Sequence, residues 1–340
     1  MITNKKNYKK DSFGRVTCVC LMLVVAIAIM SIVALGIGSA GYSPKEIIDA
    51  LISDEHSTIK VVVTHLRLPR VLLALLVGAA LSVAGALLQS VMGNPLADPG
   101  SIGVSAGAGT AAITILLLFP HLSASVPLFA FAGAALACVL IFIMAYDGGI
   151  SAIRIILSGV AINSVLGAYN SFLQLLHSDD LSSVLAFMNG SLSGRSWSQV
   201  YIAAAYGSVG LVLAFCCIKT ANLLLLGEDM AKSLGVNVTK SRILLSAVSA
   251  FLAAATVTVV GMVGFVGLIV PHISRLVIGS DYKALLPVCT LMGALVVLVA
   301  DTVGRTIIPG MEVPVGIVMA LVGGPFFLYM LKKKGKVYGG

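Results

Sequence analysis

The chain has 340 residues, of which 59% are apolar and only 11% are charged. A soluble protein carries about 25% charged residues, since polar groups must cover much of its surface. The composition and a mean hydropathy of +1.05 therefore predict a polytopic membrane protein and exclude soluble enzymes. The net charge of +8 includes no basic stripe interleaved with aromatic residues, which excludes nucleic acid as a partner.

Apolar runs long enough to cross a bilayer recur along the whole chain. A helix needs about 20 mainly apolar residues to span the hydrocarbon core. The runs predict about ten spans, namely 16–37, 68–92, 101–119, 125–146, 153–176, 198–218, 241–261, 264–279, 284–304 and 314–331. The eighth is short and contains Pro271, which favours a broken helix. The predicted fold class is an all-α membrane protein, with residues 1–340 forming one permease domain.

The basic residues are shared unequally between the two sides of this topology. With a cytoplasmic N-terminus, sixteen Lys and Arg residues fall inside and six outside. Such an excess is typical of cytoplasmic segments, so both termini are predicted to be cytoplasmic, with basic tails at 1–15 and 332–340. The apolar stretch of the first span is too long for a signal peptide. We interpret it as a retained span.

Two segments between the spans are predicted to carry structure of their own. Residues 38–66 include an amphipathic run, Ile47 to Ile52, which predicts a short helix at the outer surface. Residues 219–240 form the largest cytoplasmic loop, and Gly227 and Gly235 predict two short helices that break near these positions. A structured loop of this size favours the interpretation that it is a docking surface for a soluble partner. The alternative is that it only connects two spans.

The chain also shows a weak internal repeat and several faces of small residues. Arg70-Val-Leu-Leu and Arg242-Ile-Leu-Leu each open a span, 172 residues apart, and Pro99 and Pro271 share that offset. The two copies would cross in opposite directions, as in inverted-repeat transporters. Small residues let membrane helices approach closely, and they occur at Gly78 and Gly85, in Gly103-x-x-x-Gly107, and in Gly316-x-x-x-Ala320-x-x-x-Gly324.

Motifs for catalysis or metal binding are not evident. The sequence contains no G-x-x-x-x-G-K-[ST], so the chain is not expected to bind ATP through a P-loop. Its histidines are scattered, and its six cysteines form no C-x-x-C pair. Asp301 is the acidic residue inside a predicted span, and its distance from Arg305 predicts an i,i+4 salt bridge near the interface. The predicted spans therefore offer few ionisable groups that could support ion-coupled transport.

Five segments resemble the signature of the iron-complex and cobalamin ABC-importer permeases. They are 67–109, beginning with Arg67-Leu-Pro-Arg70, and 223–236, 261–275, 300–305 and 312–327, in the family's order. The resemblance implies the membrane subunit of a type II importer, working as a homodimer with the pathway at its interface. It also implies two cytoplasmic ATPase subunits, which would bind the ATP and Mg, and an extracytoplasmic binding protein. This chain is expected to bind no cofactor.

The resemblance assigns roles to three groups of residues. Arg67, Arg70 and Arg305 are expected to dock the binding protein, although Arg67 and Arg70 could instead anchor the helix at the interface. ATPase coupling is assigned to Gly227, Glu228, Asp229, Ala231, Leu234, Gly235 and Val236. A cytoplasmic gate is expected at Gly148, Gly149, Ser151, Ala152 and Ile153, where an ordinary turn is the alternative. Segment 188–197 resembles the family only loosely.

The sequence thus predicts the permease subunit of an ATP-driven importer in the bacterial cytoplasmic membrane. The chain itself is expected to catalyse no reaction. Its expected cargo is an iron complex, with a ferric siderophore favoured as the common cargo of the family and haem or cobalamin as alternatives. From other classes, a self-sufficient secondary transporter or channel would need buried ionisable groups, and an intramembrane enzyme would need a catalytic constellation.

Overall fold

The computed structural model describes residues 3–38, 42–43, 45–46, 49, 52, 58–178, 181–308 and 310–338, with side chains for all except 3–13, 101, 331 and 333–338. These residues form a bundle of α-helices, and the described part of the chain contains no β-strand beyond two isolated bridges. The predicted surface helix at Ile47 to Ile52 lies largely outside the described residues.

The helices follow one another through short connections. They are α1 (Thr3–Gly36), α2 (Leu68–Met92), α3 (Val104–Leu118), α4 (Val126–Ala145), α5 (Ala152–Leu176), α6 (Leu181–Met188), α7 (Trp197–Cys216), α8 (Ile218–Leu224), α9 (Glu228–Ser233), α10 (Val238–Val260), α11 (Val266–Ile278), α12 (Tyr282–Thr306) and α13 (Val315–Tyr338). An α-helical turn (Thr58–Val61) and a π-helix (Val62–Arg67) lead into α2. Short 3₁₀ helices, Pro99–Ile102 and Pro120–Ser125, precede α3 and α4.

Seven helices in the described part are long and apolar enough to cross a bilayer: α1, α2, α4, α5, α7, α10 and α12. The shorter apolar helices α3, α11 and the first part of α13, Val315–Met330, occupy the positions of the other three predicted spans. The all-α membrane class is therefore confirmed, and the chain is a multi-pass membrane protein. The count of ten spans and the side of the termini stay predictions.

The structure differs from the expected break of the eighth span at Pro271. Helix α11 runs through Pro271 without interruption, and the break lies before it, at residues 261–265. Proline cannot donate to the carbonyl four residues earlier, which here belongs to Gly267. The side chain of Gln89 donates to that carbonyl instead, at 3.1 Å. A neighbouring helix thus supplies the hydrogen bond that Pro271 lacks, and the helix stays intact.

Helix α6 was not predicted from the sequence. It has only eight residues and buries Val184 and Phe187 on one face. The residues after it join the end of α10, since the backbone N–H of Ser191 donates to the Val260 carbonyl at 2.8 Å. A helix this short lies well below the length that apolar periodicity resolves.

Helix α2 forms the centre of the bundle, where it packs against α7, α10, α11 and α12. Two glycines make this packing possible. A Cβ on Gly78 would lie 2.1 Å from the Gly293 carbonyl oxygen, and one on Gly85 would lie 2.0 Å from that of Gly267. Gly107 and Gly133 make a similar contact between α3 and α4. Close backbone approach of this kind drives association where lipid offers no hydrophobic gain.

Helices α2 and α10 run antiparallel. Ser249 in α10 donates a hydrogen bond to the Ala84 carbonyl in α2 at 2.8 Å. The last residues of α2 and the first of α10 line one small cavity. This opposed direction agrees with the relation expected between the two copies of the repeat. Following the orientation predicted from charge, the end with residues 62–70 and 305–312 is named the outer end, and the end with residues 218–242 the inner end.

The glycine contacts of α2 generate a prediction for stability. Replacement Gly85→Ala should lower the free energy of unfolding by about 1–3 kcal/mol, because the methyl group would overpack a rigid backbone contact. Gly207→Ala is the matched control, since Gly207 is also inside a helix and a Cβ there meets nothing within 4 Å. Thermal unfolding in detergent measures both. An equal melting temperature for the two variants would contradict the close-contact interpretation.

Candidate functional site

The outer end of the bundle holds a buried network of charged side chains. Arg70, in the first turn of α2, donates to both oxygens of Asp301 in α12, with N–O distances of 2.9–3.1 Å. Its third contact is Glu312 Oε2, 2.8 Å away. The side chain of Asp301 is only 2% exposed. A buried carboxylate requires such compensation, because losing its water shell costs several kcal/mol.

Arg305 completes this network from the same helix as Asp301. Its Nε lies 3.5 Å from Asp301 Oδ2, an ion pair without the geometry of a hydrogen bond. The i,i+4 pair predicted from the sequence is therefore present, but it is buried and is the weaker of the two contacts made by Asp301. The dominant partner, Arg70, is 231 residues away in the chain.

Two of the arginines satisfy the C-terminal end of α1. Arg67 Nη1 donates to the carbonyls of Leu35 and Gly36, at 2.6 and 3.1 Å. Arg305 Nη2 donates to the carbonyl of Ala34 at 3.1 Å. The last carbonyls of a helix have no partner within it, and cations are favoured there by the helix dipole. Arg67 also stacks on the Tyr42 ring, 4.7 Å from its centroid.

A cavity of about 750 Å³ opens beside this network at the outer end. Arg67, Arg70, Arg195, Arg305 and Glu312 all line it. Burial alone would raise the pKa of Glu312, but hydrogen bonds from Ser193 and Arg70 hold that pKa below its usual range. Among the described residues, four guanidinium groups stand against the carboxylates of Glu312 and of Asp301 behind them, so positive charge is in excess at this end.

The structure brings the three predicted docking arginines together but gives them internal partners. Arg67 is 6% exposed and Arg70 is 9% exposed, and the Arg305 side chain is 5% exposed. An arriving carboxylate would have to share them with Asp301, Glu312 and the carbonyls of α1. Their docking role stays a prediction. Sequence reasoning gave no role to Glu312, which lies in one of the recognised segments, or to Arg195, which lies in the loosely matching segment 188–197.

The predicted coupling residues form a compact structure at the inner end. Gly227, with φ +91°, turns the chain into α9. After α9, the N–H of Val236 donates to the Ala231 carbonyl and that of Gly235 to the Lys232 carbonyl, which is a Schellman motif. Gly235 adopts φ +78°, a conformation that glycine supplies without a Cβ penalty. The predicted breaks near Gly227 and Gly235 thus correspond to the two ends of α9.

Helix α9 is anchored on one face and open on the other. Ala231 is fully buried, whereas Asp229, Met230 and Leu234 are exposed. Glu228 pairs with Lys232 at 2.9 Å and with Arg242 at 3.0 Å. The hydrogen bond from Lys232 holds the pKa of Glu228 below its usual range, and Arg242 acts in the same direction.

The predicted gate residues form a tight turn between α4 and α5. Tyr146 and Ile150 make an isolated bridge, and Gly148 adopts φ +63°. Ser151 caps α5 by accepting from the Arg154 N–H at 3.2 Å, so Ala152 and Ile153 are its first helical residues. Gly149 has an ordinary backbone conformation, and a Cβ there would lie 3.6 Å from Thr239. The geometry is that of a turn, and the gating role stays a prediction.

Metal-ligating side chains are not clustered in the part of the chain that the structure covers. Within residues 14–338, apart from the gaps named above, no three His, Cys, Asp or Glu side chains are grouped as a metal would need. The six cysteines are unpaired thiols.

The outer network generates a prediction. Asp301→Asn should destabilise the protein by about 3–5 kcal/mol, because it leaves Arg70 and Arg305 buried without their shared charge partner. Asp229→Asn, on the exposed face of α9, is the control and should change stability by less than about 0.5 kcal/mol. Thermal unfolding in nanodiscs compares the two. A loss for Asp301→Asn no larger than that of the control would show that the network does not support the fold.

Comparison with known proteins identifies the family. The model of the FecCD transport family matches residues 23–333. The Fe(3+)-citrate import system permease protein YfmE of Bacillus subtilis is 38% identical over 329 residues, covering 96% of this chain and 98% of that protein. The cobalamin import system permease protein BtuC of Halobacterium salinarum is 41% identical over 278 residues, covering 82% and 75%.

A solved structure supports the same assignment. It is described as an inward-facing conformation of a metal-chelate type ABC transporter, and it superposes with a TM-score of 0.82 at 29% identity. The match covers 94% of this chain and 99% of that one. The family match spans nearly all the described helices, including both polar ends. The chain is therefore a member of the FecCD transport family.

Proposed function

We propose that this protein is the membrane-spanning permease subunit of an ABC importer for an iron complex in the bacterial cytoplasmic membrane. The chain itself would catalyse no bond change, and ATP and Mg would be bound by separate ATPase subunits. Membership of the FecCD family supports this assignment, as do relatives named as import permeases. The substrate would cross the bilayer through a pathway formed by this chain and a second permease.

The observation that carries the proposal is the exposed apolar face of α9. Met230 is 55% exposed and Leu234 is 58% exposed, on a segment that lies outside the long apolar helices. Both ends of α9 are fixed, by the Gly227 turn and by the Schellman motif. A rigid helix that presents large apolar side chains to water is suited to a groove on a soluble partner. We assign that partner as the ATPase subunit.

The second permease subunit would contact α5. Of its 25 residues, α5 buries only Ile155, Gly159 and Leu173. Small and polar residues, including Ser164 and Gly167, lie exposed among apolar ones on the open side. A helix that faced only lipid would have no need of them. We propose a homodimer with α5 at its interface, beside the translocation pathway.

The cargo proposed within the iron-complex class is a ferric siderophore. The relative named as an Fe(3+)-citrate import permease covers nearly the whole chain, and the basic cavity at the outer end suits a binding protein or cargo that carries carboxylates. Haem and cobalamin are the alternatives inside the family. Uptake of labelled ferric citrate, haem and cobalamin by the reconstituted importer separates the three.

A self-sufficient secondary transporter would need an ionisable group that is free to titrate inside a span. Asp301 is the acidic residue that the sequence places in a span, and it is held by Arg70 and Arg305. This engagement makes Asp301 a structural group. The geometry therefore favours the ATP-driven importer over ion-coupled transport.

The first test is co-purification from mild detergent. The wild-type chain should recover an ATPase subunit at one-to-one stoichiometry. The double variant Met230→Asp and Leu234→Asp should reduce that recovery at least about tenfold, since two charges would enter an apolar groove. Met311→Asp is the control, because Met311 is similarly exposed but lies at the outer end.

Two results would count against the proposal. Recovery of the wild-type chain alone, with uptake that continues in liposomes without ATP, would favour a secondary transporter. Equal recovery of the ATPase by the double variant and by Met311→Asp would show that the ATPase does not bind at α9.

The docking role proposed for Arg70 has a separate test. Glu312→Gln removes a carboxylate that already occupies Arg70, so it should strengthen binding of the partner binding protein about threefold to tenfold at low salt. Glu46→Gln is the control, because it removes an exposed acidic charge predicted to lie on the same side. Titration by surface plasmon resonance measures both. Identical affinities for the two variants would indicate that Arg70 serves the fold alone.

A further inference from the structure

Arg242 in α10 contacts two segments that are far apart in the sequence. Its Nη2 lies 3.0 Å from Glu228 Oε2 at the start of α9. Its Nη1 donates to the carbonyl of Ile150, in the turn between α4 and α5, at 2.7 Å. The Arg242 side chain is 12% exposed. A single, largely buried guanidinium therefore joins α9 to the turn before α5.

On the α9 side, the contact is made to a rigid unit. Glu228 is the first residue of α9, and the helix is closed at its other end by the bonds of Gly235 and Val236. Only Val236 and Asn237 separate this closed end from α10. A force applied to the exposed face of α9 would therefore move Glu228 together with the whole helix.

On the other side, the contact is made one residue before the cap of α5. Ile150 is buried and bridges to Tyr146, and Ser151 follows it as the N-cap. Arg154 and Asp147 close the same turn with an ion pair of 2.7 Å. The turn is thus a small closed unit whose position sets the start of α5. Arg242 supplies a side-chain bond to that unit from α10.

We propose that Arg242 is the positioning residue that transmits movement of α9 to the N-terminal end of α5. The inference rests on the proposed function, in which α9 receives the ATPase and α5 borders the pathway. Closure of the ATPase would shift Glu228, and the guanidinium would carry the shift to the Ile150 carbonyl. The turn expected to gate the inner end would then follow α9 directly.

The chemistry of arginine suits this role. Its terminal nitrogens are separate atoms in one rigid plane, so a displacement imposed on one is imposed on the other. Arg242 Nε is buried without a hydrogen-bond partner in the described part of the chain, so the guanidinium is held through its two terminal nitrogens. Lysine would offer all its donors from one flexible atom. Lys232, the other partner of Glu228, is exposed and lies within α9, so it can transmit nothing to α5.

Hydrogen exchange on the chain alone in nanodiscs tests the link. Arg242→Lys and Glu228→Ala should each raise exchange of the backbone amides of residues 151–158 at least about fivefold, the lower range of coupling between sites. Lys232→Ala removes the other ion pair of Glu228 and should leave that segment at the wild-type rate. Exchange in α12 is the internal control for global stability.

Two results would overturn the role of Arg242. One is an unchanged exchange rate of residues 151–158 in both Arg242→Lys and Glu228→Ala. The other is an equal rise in Lys232→Ala, which would mean that any loss at α9 loosens the inner end. If exchange in Arg242→Lys also rises in α12, that variant is destabilised as a whole. Exchange of residues 151–158 in Glu228→Ala then decides whether the link exists.

The assembled importer provides the second readout. Binding of the co-purified ATPase should change exchange at residues 151–158 in the wild type, and Arg242→Lys should lose that response while the ATPase stays bound. A retained response in Arg242→Lys would overturn the inference. If no ATPase binds the wild type, the proposed function fails, and the measurement on the chain alone still decides whether Arg242 links α9 to α5.

Discussion

The backbone contact of α2 with α11 and α12 sets the register on which both ends of the protein depend. Gly78 against Gly293 and Gly85 against Gly267 leave no room for side chains, so α2 cannot slide along its neighbours. This register places Arg70 opposite Asp301 at the outer end. It also places Gln89 beside the carbonyl that Pro271 leaves free. The polar contacts are specific because the apolar contact between them is rigid.

Each end of the bundle contains polar groups that need hydrogen-bond partners, and different residues supply them at the two ends. At the outer end, arginines satisfy a buried carboxylate and the terminal carbonyls of α1. At the inner end, Arg275 donates to Gln89, and the Tyr282 hydroxyl donates to the Ala86 carbonyl. In a bilayer each unpaired polar group costs several kcal/mol, so these bonds stabilise both ends of the apolar bundle. Arg70 and Arg242, which the predicted repeat would place at equivalent positions, lie at opposite ends of the bundle.

Much of the fold could be predicted from the sequence because membrane spans are long and strongly apolar. The bounds of α2 agree with the predicted span to the residue, and those of α4, α5 and α7 agree within one or two. The predicted break at Pro271 was wrong, because Gln89 supplies the missing hydrogen bond. Gln89 lies far from Pro271 in the sequence, so no local pattern indicates this bond. The α6 helix was missed because eight residues carry too little periodicity. In the candidate site, Gly227 and Gly235 allowed the ends of α9 to be predicted from the sequence. The pairing of Arg70 with Asp301 could not be predicted, because it depends on contact between two helices that are far apart in the sequence.

The arginine bonds to α1 also have a consequence for the order in which the protein is completed during synthesis. Arg67 lies 32 residues after the Leu35 carbonyl it serves, whereas Arg305 lies 271 residues after that of Ala34. Helix α1 therefore receives part of its C-terminal hydrogen bonding soon after it is made, and the rest only when α12 has been synthesised. The C-terminal end of α1 is thus complete only after nearly all of the other helices have been made.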